Sequence, residues 1–352
     1  MKKEYTIIVP RADYTGPTNV AVDIGSAAVK SGWSVTLLYL SGSPIRSDLS
    51  IFKSVRRFRF SDLLRLKGIV HSHGFRPDLV GWMLTWNPHC TVVTTLHGHF
   101  PGHLAFDYPT YKVLFAWCLW SKALHRFDRR ICISNTMIRF YERQFRGLSF
   151  DLAYNFRSDH GEKHSLPSPQ AINWIQKQRS ENRIVLLYAG SLSSRKNTNA
   201  LLDAVLSSND LSLMICGDGP ERIAMSQKVE LRSPENQVFF AGHVNNVKSF
   251  LNQCDMLVLP SHAEGLPLVV LEAASLGIPS LMSNLAIHRE LASKGFGETF
   301  NRHSFFDLRC KALLLKADRK LDSDTRRVNL WKAQFSPLAG FGQYEKIFDC
   351  AK

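Results

Sequence analysis

The sequence has no run of 18 apolar residues, so none of its segments is long enough to cross a bilayer as a helix. The opening MKKEYTIIVP offers too short an apolar stretch for a signal peptide, and Pro10, Arg11 and Asp13 follow at once. Cysteine is sparse. The seven residues, at 90, 118, 132, 216, 254, 310 and 350, are scattered, odd in number and free of any C-x-x-C pair. That excludes a disulfide framework and predicts reduced thiols in a cytoplasmic protein. Nor is there a solenoid-type repeat. With 45% hydrophobic and 21% charged residues, the composition is that of an ordinary globular protein.

Acidic residues are the scarcer charge, 30 against 44 Lys and Arg, for a net of +14 over 352 residues. The excess is uneven. Residues 1–160 hold 21 Lys/Arg against 11 Asp/Glu, and residues 161–352 hold 23 against 19. A basic first half suggests a polyanionic partner. Between Lys53 and Lys67, Arg56, Arg57, Arg59 and Arg65 alternate with Phe52, Phe58, Phe60, Leu63, Leu64 and Leu66. This reads as a patch for an anionic membrane surface, or else as a basic helix or loop that packs its Phe residues inward. No nucleic-acid motif accompanies it.

The length predicts two domains. Short apolar runs at Thr6–Val9, Ser34–Tyr39, Gly68–His71, Thr91–Leu96 and Arg130–Ile133 alternate with helical patterns such as Val20–Lys30. After a polar interlude the pattern restarts with strands at Ile184–Ala189, Leu211–Cys216, Val238–Ala241, Met256–Pro260 and Ser280–Met282. Alternation of this kind predicts α/β architecture: two Rossmann-like domains, each a parallel sheet covered by helices, facing a central cleft. The expected division is 1–160, a linker at 161–182, a second domain at 183–335, and a last helix at 336–352 returning to the first domain. Ser336 and Pro337 supply that helix with an N-cap and a first residue.

Three segments carry chemistry. In Asp255–Pro279 a strand ends at Pro260, a loop holds Glu264 and Gly265, and a helix over Leu266–Leu276 encloses Glu272 among apolar neighbours. The free N–H groups at that helix start suit an anion. Glu272 lies roughly 7–8 Å further along the axis, about the distance from a pyrophosphate to its ribose hydroxyls. A buried glutamate ion-paired with a neighbouring cation accounts for the same pattern. The second segment, Tyr188–Asn197, sets Gly190, Arg195 and Lys196 in a strand-to-helix loop, where the cations could neutralise a pyrophosphate or simply be solvated. The third, Leu211–Glu221, is a strand with a Gly217-Asp-Gly-Pro turn and a helix from Pro220. In the first half, Gly16-Pro17-Thr18 precedes a helix, and His97 ends a strand on the side where open α/β sheets bind ligands.

Taken in order, these segments resemble the retaining glycosyltransferases of family 4, which have the GT-B fold. The resemblance spans nearly the whole chain. It rests on Glu264 and Glu272 at E-x7-E spacing, the Gly190-x-Leu192-x-x-x-Lys196 loop, Gly217-Asp-Gly-Pro-Glu221, Phe240-Ala-Gly-His-Val244, Gly277-Ile-Pro279 and Glu290. His71-Ser-His-Gly74, Leu96-His-Gly98, Ser134 and Tyr154-Asn155 add weaker matches.

The family implies transfer of a sugar from a nucleoside diphosphate, UDP first and GDP next, with retained configuration and no metal or other cofactor. The acceptor implied is a glycan or lipid-linked glycan of a bacterial cell-surface polysaccharide or lipopolysaccharide, met at the inner face of the plasma membrane. Lys196 would hold the diphosphate, with Arg195 supplying the charge that the family has at position 191, and Glu272 would take the ribose. Glu264, Gly265 and Leu266 would bind the donor sugar, with His97 beside it. Gly16 would touch the phosphate, and His243 and Val244 would lie near the base. Ser191 stands where the family usually has a cation, and Asn197 where glycine is common.

Rival readings keep a place. A catalytically inactive subunit that binds nucleotide or glycan, or a sugar-nucleotide epimerase of similar architecture, would share the pattern. His71-x-His73, His97-x-His99 and nearby His103 could chelate a metal, though no cysteine or carboxylate stands alongside. Asp322-Ser-Asp324 reads as a solvated helix cap and not as a metal motif.

Overall fold

A computed structural model describes residues 3–100, 109–157, 166–232, 236–244, 246–318 and 321–351. The chain divides into two compact units, Met1–His160 with Gln334–Lys352, and Gly161–Ala333.

The first unit is built on a sheet of β1 (Glu4–Val9), β2 (Ser34–Tyr39), β3 (Ser54–Arg57), β4 (Gly68–His73), β5 (Cys90–Leu96), β6 (Arg129–Cys132) and β7 (Asp151–Leu152). Its order is β3-β2-β1-β4-β5-β6-β7, and every pairing is parallel. Ile7, Ile8, Leu37, Leu38, Val70, Val92 and Val93 are buried, as strands covered on both faces require. The order reverses between β1 and β4, which leaves a crevice at the carboxyl ends of those two strands.

The second unit repeats the plan with β8 (Ile184–Ala189), β9 (Leu211–Cys216), β10 (Val238–Gly242), β11 (Met256–Leu259), β12 (Ser280–Ser283) and β13 (Gly297–Phe300). The order is β10-β9-β8-β11-β12-β13, again parallel, with the reversal between β8 and β11. Both units are thus Rossmann-like, as the sequence predicts.

The helix Pro337–Asp349 belongs to the first unit. The Ser336 side chain caps it by accepting from Ala339 N, and Pro337 fills its first turn. Phe348 meets Tyr5 and Trp33 at centroid distances of 5.3 and 5.9 Å, and Gln343 Oε1 accepts from the Tyr154 amide at 2.9 Å.

Several boundaries differ from the sequence expectation. The helix expected over Val20–Lys30 runs from Gly16 to Lys30, because Pro17 suits a first turn and Thr18 is buried. The helix expected from Leu266 is Leu268–Ser275, with Pro267 as its extended N-cap. The helix expected from Pro220 starts at Arg222. Within the stretch read as linker, Pro169–Ser180 is a helix that opens on the same Ser-Pro signal, Ser168 accepting from Ala171 N. The Lys53–Lys67 segment contains an unforeseen edge strand, β3, followed by a helical turn at Asp62–Arg65.

Candidate active site

The carboxyl end of β8 leads into the loop carrying Arg195 and Lys196, and the end of β11 leads into the loop carrying Glu264. Neighbouring strands bring the two loops together. Lys196 Nζ donates to Glu264 Oε1 at 2.6 Å, and Ser261 Oγ donates to the same oxygen at 2.7 Å. Arg195 Nη1 donates to the Ala263 carbonyl at 3.0 Å, His262 N to the Arg195 carbonyl at 2.9 Å, and Asn197 Nδ2 to the Pro260 carbonyl at 3.2 Å. The loops are thus tied by side chains and backbone alike.

Glu264 is 7% exposed. Burial alone would push its carboxyl up, but the Lys196 ammonium and the Ser261 hydroxyl outweigh burial and hold it below its usual value. Glu264, and not Glu272, is therefore the buried carboxylate of this region. Glu272 is half-buried on Leu268–Ser275, because the helix turns that position toward its less covered side. It lies four residues into the helix, about 6 Å along the axis. Gly265 is half-buried and Leu266 is buried at the helix approach.

Asn197 has φ +55°, which explains why asparagine can stand where glycine is common: both tolerate the left-handed region. Arg195 spends one nitrogen on the Ala263 carbonyl, so it clamps the loop as well as charging it. The Gly217-Asp-Gly turn is more than a turn. A Cβ on Gly217 would stand 1.9 Å from the Gly190 carbonyl oxygen, and one on Gly219 would stand 2.5 Å from that of Leu192. Two strand ends are pressed backbone to backbone there, and only glycine fits. His243 is exposed and Val244 half-buried just past β10.

His288, which none of the sequence motifs includes, is fully buried on the helix Ala286–Ser293. Its Nδ1 lies 2.8 Å from the Ser283 carbonyl and must donate to it, which leaves the lone pair on Nε2. Ser283 Oγ donates to the Ser261 carbonyl at 2.7 Å, joining this histidine to the Glu264 network. The chain signal was available in the sequence: a histidine two residues before Glu290, on a helix following an apolar strand.

In the first unit, Gly16 opens the helix Gly16–Lys30, and a side chain there would meet open space. His97 follows β5, half-buried, with Nε2 at 2.9 Å from His73 Nδ1. Burial pushes His97 down to about 3. His71 is held on both sides, with Tyr5 Oη and Thr95 Oγ1 each at 2.7 Å. His99 packs edge-on against Phe140 at 4.9 Å, and His103 lies outside the described residues. Among the described residues no three His, Cys, Asp or Glu side chains are grouped to hold a metal ion. Ser134 caps the helix Asn135–Gln144, and Tyr154 Oη accepts from Asn135 Nδ2 at 2.8 Å. Asp322 and Asp324 sit in the first turn of Leu321–Phe335, where Asp324 meets Arg327 at 2.7 Å.

The basic segment is only partly available to a partner. Arg56 is bound twice by Asp62, at 2.8 Å each, and Phe52 is buried. Phe60 and Leu64 stand 78% and 86% exposed, beside exposed Arg57, Arg59 and Arg65. No helix among the described residues is long and apolar enough to cross a membrane.

Residues 171–326 match the family model described as glycosyl transferases group 1, and residues 14–149 match that of glycosyltransferase family 4. The O-antigen biosynthesis glycosyltransferase WclY of Escherichia coli is 25% identical over 253 residues, 68% of each chain. The 2-deoxystreptamine N-acetyl-D-glucosaminyltransferase of Niallia circulans is 34% identical over 77 residues, 21% of this chain and 20% of its own. Among solved structures, Anabaena Alr3699/HepE in complex with UDP aligns with a TM-score of 0.78 at 16% identity, over 99% of this chain and 100% of its own. Sucrose-phosphate synthase from Thermosynechococcus elongatus gives 0.78 at 17%, over 99% of each.

Proposed function

The chain is a glycosyltransferase of GT-B fold, and from that premise we propose that it moves a sugar from a UDP-sugar to a glycan or lipid-linked glycan in cell-surface polysaccharide assembly. The observation that carries this reading is the Lys196–Glu264 pair at the β8/β11 reversal, held by Ser261 and flanked by Arg195. It places a cation and a buried carboxylate at the carboxyl edge of a sheet, where a charged sugar donor has something to bind at each end. The likeness to a protein crystallised with UDP favours uridine over guanosine, and WclY points to O-antigen chemistry.

In this reading Lys196 turns from Glu264 to the diphosphate as the donor arrives. Arg195 adds charge, Glu272 takes the ribose hydroxyls, and His243 and Val244 flank the base. Glu264, with the backbone at Gly265 and Leu266, then faces sugar hydroxyls. Gly190 and Gly217 keep that edge free of side chains. In the first unit His97 and Gly16 are assigned to the transferred sugar and its phosphate. Retention of configuration follows if the departing phosphate oxygen takes the acceptor proton. The two cations stabilise the leaving group, so transfer should survive chelation of divalent metals. The exposed basic and aromatic residues after β3 bring the protein to an anionic membrane surface on the cytoplasmic side.

The test is a thermal-shift panel of nucleoside diphosphates. UDP at 100 times its dissociation constant adds about 2.7 kcal/mol of stability, a shift of several degrees, and GDP adds less. Glu272→Gln shrinks the UDP shift. An equal response to every base, or none, overturns the assignment. Free interconverted sugar nucleotide without transfer would identify an epimerase instead.

A further inference from the structure

Three histidines are stacked at the crevice of the first unit. His71 and His73, two residues apart on β4, both point inward, with ring centroids 4.2 Å apart, and His97 lies 5.1 Å from His73. His71 is satisfied at both nitrogens by Tyr5 and Thr95. His73 is fully buried, bonds His97 through Nδ1, and leaves Nε2 buried with no partner among the described residues. His97 alone reaches partial exposure.

Two proton arrangements fit a His73 Nδ1···His97 Nε2 contact. If His97 donates, His73 carries its proton on Nε2, and a buried N–H has no acceptor. If His73 donates, the orphan is a lone pair. Buried N–H groups without acceptors are the rarer fault, so the second arrangement is favoured. It has a consequence for His97. With Nε2 accepting, its one proton sits on Nδ1, the nitrogen turned away from His73. Charging the ring would put a cation against His73 and His71, with Tyr5, Tyr344 and Phe348 behind them. Burial holds all three below their usual values, and the neighbouring rings push His71 and His73 down further.

We propose that His73 is a positioning residue that locks His97 in the Nδ1–H tautomer, so that His97 meets its ligand as a neutral hydrogen-bond donor and not as a base. The ligand chemistry that fits is an oxygen acceptor, a sugar hydroxyl or a phosphate oxygen. The inference rests on the assignment of His97 to the transferred sugar, but its structural half does not.

Long-range 1H–15N correlation spectra of the 15N-labelled protein test it directly, with His97 assigned from the His97→Gln spectrum. The expected result is a neutral Nδ1–H ring that does not titrate between pH 5.5 and 8. A wild-type Nε2–H tautomer, or a His97 that titrates near its ordinary value of about 6.5, overturns the proposal. In His73→Phe, which keeps the shape but not the donor, His97 should switch to the Nε2–H tautomer. In His73→Asn, whose amide nitrogen falls where Nδ1 was, the Nδ1–H form should return. Transfer should follow the tautomer, falling about 10²-fold in the Phe variant and recovering in the Asn variant, as for other preorganised donors. If His97→Gln transfers at the wild-type rate while the wild-type spectrum is as expected, the lock stands and the assignment of His97 to the sugar is what fails.

Discussion

At the scale of single residues, Lys196 carries the sharpest expectation. Its ammonium serves two masters, the buried Glu264 carboxylate in the free protein and the diphosphate in the reaction. Lys196→Ala should lower transfer by about 10²–10³-fold, the usual worth of one preorganised charge on a leaving group. It should also destabilise the second unit, because breaking a buried pair from one side costs about 3–5 kcal/mol. Adding Glu264→Gln should recover much of the melting temperature and none of the activity. If Lys196→Ala is as stable as wild type, the pair contributes nothing to the fold. If it is as active, Lys196 is no phosphate ligand. The sequence singled out both residues, but as separate ligand contacts. That they bind one another was not legible, because they stand 68 positions apart and only the adjacency of β8 and β11 joins them. The preference for asparagine at position 197 was legible in principle, since it depends on that residue's own φ alone.

At the scale of elements, the edge of the first sheet shows how local sequence can mislead. Interleaved Arg and Phe in Lys53–Lys67 suggested a membrane-surface patch, or else a basic helix or loop with its Phe residues packed inward. Instead β3 pairs with β2 over Ser54–Arg57, and Asp62 captures Arg56 and also accepts from the Arg59 amide at 2.7 Å. What remains exposed is Lys53, Arg57, Arg59, Phe60, Ser61, Leu64, Arg65 and Lys67. Each free cation near an anionic bilayer contributes about 1 kcal/mol, and the attraction reaches only about 3 Å in 1 M salt. Wild-type protein should therefore sediment with anionic liposomes and release as salt rises, with a resistant fraction due to Phe60 and Leu64. Replacing Arg57, Arg59 and Arg65 with Ser should remove most binding yet spare transfer to a soluble acceptor, whereas Arg56→Ser should unsettle the turn without adding to the loss. Unchanged sedimentation of the triple variant would show that another face meets the membrane, or none.

For the molecule as a whole, pH is the informative variable. His71 and His73 are buried and His97 half-buried, all three neutral, with folded values held well below 6.5, two of them near 3. A depressed histidine stabilises fully above its unfolded value and loses that contribution as pH falls toward the folded one. Asp78 opposes this. It accepts from Ser72, Thr94 and Trp120 at 2.6–2.7 Å, yet burial raises it to about 6, so its contribution is greatest in acid and is lost as pH rises through 6. Between pH 6 and 4 the unfolded chain binds three more protons at the histidines and one fewer at Asp78. With about 1.4 kcal/mol per proton per pH unit, these four groups together lower stability by about 3 kcal/mol per unit on acidification. Urea titrations at half-unit steps measure this slope. His73→Asn should flatten the slope by about 1.4 kcal/mol per unit, and an unchanged slope in that variant would mean that His73 is not held neutral.

What the sequence determined by itself is whatever depends on a few adjacent residues. Short apolar runs placed β2, β8 and β9 to the residue, and the Ser-Pro pair at 336–337 placed the last helix, because an apolar run and a cap each depend on a few adjacent residues. The two-sheet plan followed from the alternation of strands and helices, since parallel strands need crossovers. Tertiary structure decided which loops meet. Strand order put Lys196 on Glu264, closed Gly217 against Gly190, and set His73 beneath His97. It also decided that Glu264 is the buried carboxylate and Glu272 the half-buried one, because burial depends on what packs from elsewhere in the chain. Hydrogen bonds and charge act over a few ångströms of space, and no pattern along the chain records which distant residues will share them.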